Sequence, residues 1–183
     1  MELMSKLQKK ETKVLYDAGH FQVIDINGYV TVQEQDMVVC IPYFIEQKKI
    51  MLRYENIPSF ELIQPGIEKY VNVMSTSINK EETPSDALKR GLKNEFGIEL
   101  KNIKEEIYNP IFINKGNTAK YHICILPLME HNYELVQTVE AKKLDMLNSN
   151  ILININELPN LLIYDIITKY VLDIFKNNNA LVF

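Results

Sequence analysis

The sequence predicts an α/β/α sandwich with a mixed central sheet and extra N-terminal strands. Three observations point there. Strand-like runs cluster along the first half of the chain with no helices between them, which argues against a doubly wound parallel sheet. One sharply bounded amphipathic helix follows, over 84–96. A second apolar stripe at helical spacing closes the chain, through Leu162, Ile166, Tyr170 and Ile174. A length of 183 residues suits one domain, enough to bury a real core. The organisation expected is an N-terminal extension over 1–12, one domain over 13–176 and a tail over 177–183.

Each element has its own signal. Val14, Leu15 and Tyr16, then 21–26, then 29–32 read as three strands. Asp17 to Gly19 turns the first pair, and Asn27-Gly28 is the strongest short hairpin signal for the second. The runs 37–41 and 49–53 are apolar enough to lie centrally in a sheet. Residues 56–66 read as a loop, with Pro58, Pro65 and Gly66, and 70–74 as a further strand. The helix over 84–96 begins with Thr83 as N-cap, Pro84 in its first turn and Asp86 against the positive end of the dipole. Ala87, Leu88, Leu92 and Phe96 form its core face, and Gly97 fits the left-handed position that ends it. Beyond it, 107–113, 121–126 and 150–155 read as strands. A helix is expected over 161–176, stopped by Asn177 to Asn179.

Composition narrows the function classes. Net charge is −4, so neither nucleic acid nor an anionic membrane surface is an expected partner. No run reaches the roughly 18 uninterrupted apolar residues of a membrane span, and the N-terminal residues lack a signal-peptide apolar core. Cys40 and Cys124 sit inside apolar runs and read as buried free thiols of a reducing compartment such as the cytoplasm. His20, His122 and His131 are isolated, without metal-ligand spacing.

The segment 82–98 carries the most chemistry. Glu82, Arg90, Leu92, Glu95, Gly97 and Ile98 stand at fixed spacing, and with them the segment resembles a degenerate Nudix box. That signature runs Gly, five residues, Glu, seven residues, Arg-Glu-apolar-any-Glu-Glu-any-Gly-apolar. Thr76 stands at the first Gly, Gly91 at the first helix Glu and Asn94 at the second. Positions 91, 94 and 95 share a helix face at i, i+3 and i+4, the geometry a cluster of metal-binding acids needs. Order of elements over 13–176 most resembles the ADP-ribose pyrophosphatase branch, where N-terminal strands often help form a dimer.

The resemblance implies a Nudix-type fold and a site. Nudix enzymes cleave a diphosphate linked to another moiety by water attack on phosphorus, with Mg²⁺ or Mn²⁺ neutralising the developing charge. Glu95 then stands at the catalytic and metal-binding position, and Glu82, Arg90 and Gly97 at structural ones, with Glu82 and Arg90 paired. A late loop supplies another acid in that branch; Glu140 is a metal candidate, Glu134 the other by position, and both also read as solvated loop charges. Glu99, Glu105 and Glu106 read as surface residues. Arg53 and Tyr54 are candidates, by analogy, to clamp a phosphate and stack a base, or equally an exposed strand end.

Scaffold positions are kept while most metal positions, 91 and 94, are not. The expectation is therefore a Nudix-fold protein that is catalytically impaired, a pseudoenzyme acting as a binding or structural module. A nucleotide-type ligand and a homo-oligomer or larger assembly fit that reading, a viral particle included. The alternative is a metal-dependent hydrolase of nucleoside diphosphate-linked compounds such as ADP-ribose.

Overall fold

The computed structural model describes residues 11–55, 70–101, 105–136 and 149–179. The expected loop over 56–66 and the candidate Glu140 lie outside them. The chain opens with a three-stranded antiparallel meander of β1 (Thr12–Asp17), β2 (Phe21–Ile26) and β3 (Tyr29–Glu34). Its second turn places Asn27 at φ 54° and Gly28 at φ 86°, the paired left-handed conformation that matches strand twist. β1 is exposed along its whole length.

The central sheet is built around β4 (Met37–Phe44). It runs parallel to β9 (Tyr121–Leu128) over its full length, and antiparallel to β7 (Met74–Ser77) through residues 37–40. Farther along, Tyr43 and Phe44 pair with β5 (Lys49–Glu55). β5 lies between β11 (Ser149–Asn154) and β6 (Tyr70–Asn72). The run expected as one strand over 70–74 is therefore two strands serving different neighbours. Val73 makes the break, and its N–H is satisfied by the buried Thr168 hydroxyl at 3.2 Å instead of by a ladder partner.

One helix layer covers each face, because β4 buries alternate residues on both sides. On one face Val38, Cys40 and Met74 pack under Ala87, Leu88 and Leu92. On the other, Val39, Ile41 and Leu52 meet Val171, Leu172 and Phe175. Cys40 and Cys124 are free, buried cross-strand neighbours of β4 and β9. A short strand β8 (Ile98–Leu100) pairs with β10 (Tyr133–Leu135) beside this sheet. Among the described residues no helix is long and apolar enough to cross a membrane.

Three further expectations change. Residues 107–113 form no strand; only isolated bridges tie Ile107 to Cys124 and Ile111 to Tyr121, since Pro110 brings no N–H to a ladder. The helix over 84–96 is α-helical only in α1 (Pro84–Gly91), and Leu92–Phe96 is a π-helical turn. The last helix, α2, runs Ile166–Asn179, after a 3₁₀ turn at Ile155–Asn160. The Asp165 carboxylate sets its start by accepting the Thr168 N–H at 2.6 Å. Its buried stripe is Ile167, Val171, Leu172 and Phe175, while Leu162, Ile166 and Tyr170 are exposed. An apolar series existed on two adjacent faces, and docking on the sheet chose between them.

Candidate functional site

The site forms where the loop–helix segment 76–97 meets the sheet. At its entry Thr83 closes a reciprocal capping box with Asp86, and Pro84 stands in the first turn. Glu82 and Arg90 then make a two-pronged ion pair, with Arg90 Nε and Nη2 donating to the two carboxylate oxygens at 2.8 Å each. Arg90 Nη2 also donates to the Ser77 carbonyl at 2.6 Å, and Nη1 to the Thr76 hydroxyl at 3.2 Å. One guanidinium thus ties the helix to the preceding loop and to β7. The Arg90 hydrogen bonds, helped by the Asn79 N–H, hold the Glu82 carboxyl down at about 2.

The exit of the helix is fixed as firmly. The π turn ends at Gly97, at φ 66°, whose N–H reaches the Leu92 and Lys93 carbonyls. A Cβ at Gly97 would stand 2.6 Å from the Val136 carbonyl oxygen, so glycine is required both by conformation and by space. One residue pair earlier in the turn, Glu95 points at the sheet. Its carboxylate accepts from Arg53 Nη1, and its backbone carbonyl accepts from Asn150 Nδ2 at 2.8 Å. Arg53 is a direct cross-strand partner of both Asn150 and Asn72, so one polar row crosses β11, β5 and β6 beneath the helix end. Arg53 Nε lies 2.7 Å from Glu55, which also accepts from Asn72 Nδ2 at 3.1 Å.

Arg53 is therefore no exposed clamp. Its side chain is only 4% exposed, that of Glu95 17%, and the guanidinium is shared between two carboxylates. Burial raises the Glu95 carboxyl above its ordinary value; Arg53 opposes this, and Glu55 adds to it. Tyr54, next along the strand, is partly exposed and turned to the opposite face by strand alternation.

Positions 91, 94 and 95 together offer a divalent ion a single carboxylate. Gly91 offers no side chain, Asn94 offers a neutral amide, and the Glu95 carboxylate already has a protein cation. Among the described residues no group of three His, Cys, Asp or Glu side chains could hold a metal ion. Glu134 stands on β10, exposed and ion-paired with Lys101. Glu105, expected at the surface, is instead mostly buried, receives the Ser85 hydroxyl and pairs with Lys89 at 2.9 Å. Glu55, Asn72 and Asn150 were not singled out in the sequence. Glu55 had a signal, since alternate strand residues share a face and Arg53 lies two positions before it. Asn72 and Asn150 had none beyond being polar within apolar runs.

No protein-family model and no curated protein sequence matches the chain. Among solved structures, one described as an ADP compounds hydrolase is similar with a TM-score of 0.67 and 13% sequence identity. The match covers 93% of this chain and 92% of that one. The chain has a Nudix-like fold, mixed sheet and flanking helices included.

Two stability measurements follow from the ion pairs. The Glu82 carboxyl is lowered on folding from about 4.5 to about 2, so its contribution is complete above pH 4.5 and is lost as pH falls toward 2. Melting temperatures of wild type and Glu82→Gln are expected to differ most near neutral pH and to converge across that window; a pH-independent gap would refute the linkage. Arg53→Met leaves Glu95 buried without its counter-charge and is expected to cost about 3–5 kcal/mol in urea unfolding. Arg53→Met/Glu95→Leu should cost less than Arg53→Met alone, and strictly additive losses would show that the two charges do not interact.

Proposed function

We propose that this Nudix-fold chain is catalytically impaired and acts as a binding or structural module. The observation that carries the reading is the Arg53–Glu95 ion pair. A carboxylate serving a metal-assisted hydrolase must meet a divalent cation and, through it, phosphate oxygens. Here the one acid left on that helix face meets a buried guanidinium on β5, and the position one turn before it is glycine. Arg53 also draws on Glu55, so releasing Glu95 to a metal would break a partly buried network of three charges. Glu95 then acts as a strut that holds the helix end on the sheet.

The alternative reading is a metal-dependent hydrolase of nucleoside diphosphate-linked compounds. The likeness to a structure described as an ADP compounds hydrolase favours it at the level of fold. Titration calorimetry with ADP-ribose, with and without Mg²⁺ or Mn²⁺, separates the two when the same samples are analysed for products. The expected outcome is no metal-dependent release of nucleoside monophosphate, whether or not ADP-ribose binds. Release that disappears in Glu95→Gln would establish the hydrolase instead.

A self-associated state belongs to the same proposal. β1 to β3 expose Val14, Leu15, Tyr16, Tyr29 and Val30, apolar side chains that a second copy of the chain would cover. Sedimentation equilibrium is expected to give a multiple of the 21.3 kDa chain mass, and Leu15→Asp/Tyr29→Asp to shift it toward the monomer. A wild type that sediments as a monomer at high micromolar concentration would remove this part of the proposal.

A further inference from the structure

Two departures from the Nudix signature meet in space. Thr76 stands on β7, where the signature has glycine, and Gly91 ends α1, where it has glutamate. Both are buried. A Cβ built on Gly91 would lie 2.8 Å from the Thr76 methyl, 3.2 Å from Thr76 Cβ and 3.2 Å from Met74 Cε. The Met74 contact is the end of a flexible side chain and can move aside. The Thr76 contacts are of another kind. Its Cβ is fixed by the strand backbone, and its methyl is fixed by χ1. Rotating χ1 would carry the hydroxyl away from Arg90 Nη1, which donates to it at 3.2 Å.

We infer that Thr76 is a positioning residue that keeps position 91 without a side chain, and so keeps a second acid off the helix face that carries Glu95. Side-chain volume has been exchanged across the gap between helix and strand: the bulk lies on the strand and the glycine on the helix. Gly91 is thus neither an accidental loss nor an accommodation for a neighbouring chain. It is the complement of Thr76 within this one. Arg90 takes part by holding the threonine rotamer, so the same guanidinium that pairs with Glu82 also sets what fits at 91. The inference is separate from the functional reading above, because it concerns packing and is tested without substrate.

A helix-terminal Gly→Ala substitution with free space around it stabilises by helix propensity, worth roughly 2–4 °C in melting temperature for a chain of this size. Gly91→Ala in the wild-type background is expected to lower the melting temperature. In a Thr76→Ser background, which removes the methyl at 2.8 Å but leaves the Cβ contact at 3.2 Å, the same Gly91→Ala substitution is expected to lower it by several degrees less, or to raise it. Thr76→Val is the control that keeps the bulk: there Gly91→Ala should again lower the melting temperature. A Gly91→Ala effect equal in the wild-type and Thr76→Ser backgrounds, of either sign, overturns the inference. So does Thr76→Val behaving as Thr76→Ser does.

Discussion

A guanidinium placed under a helix in the interior must be neutralised where it stands, because charge taken from water costs several kcal/mol unless it is paired. Arg53 meets that demand with Glu55 on its own strand and Glu95 from the helix exit. Much of the surrounding geometry follows. Glu95 can reach the sheet only if the last helical turn is held down, and Asn150 does this by donating to the Glu95 carbonyl. That bond also satisfies one of the carbonyls that a helix end otherwise leaves to solvent. Asn72 holds the outer carboxylate, so the polar row beneath the helix is tied on both flanks.

The opposite end of the segment is organised by a second guanidinium. Arg90 gathers Glu82, the Ser77 carbonyl and the Thr76 hydroxyl, fixing the loop, the helix and β7 relative to one another. Charge pairs therefore anchor both ends, and between them Ala87, Leu88, Leu92 and Phe96 supply the apolar seat. In a metal-dependent Nudix site, acids on this segment would hold ions. In this chain Arg90 and Arg53 pair with the two ends of that stretch.

The most legible parts of the sequence were those with local causes. Thr83, Pro84, Asp86 and Gly97 announce a helix start and stop because capping and left-handed termination act within a few residues. Asn27-Gly28 specifies its turn for the same reason. The placements that went astray were those where two solutions were locally equal. The stripe through Ile166 and Tyr170 is as apolar as the one through Ile167 and Val171, and residues 70–74 read as one strand although β5 and β4 each claim part of it. Arg53 read either as a phosphate clamp or as an exposed strand end, since nothing in its neighbours in sequence told that a helix forty residues later would cover it.

By itself, then, the sequence determined the fold class, the loop–helix scaffold and the absence of acids at 91 and 94, since these rest on residue identity and short-range spacing. Which partners the surviving residues meet emerged only with the tertiary structure. Glu95 meets Arg53, a partner brought to it across 42 residues of sequence. Gly91 could have been a simple loss, and its meaning rests on Thr76, set against it by the packing of helix on strand. Side-chain charge and volume are compensated between neighbours in space, and those neighbours are fixed only when the sheet has formed and the helix has docked.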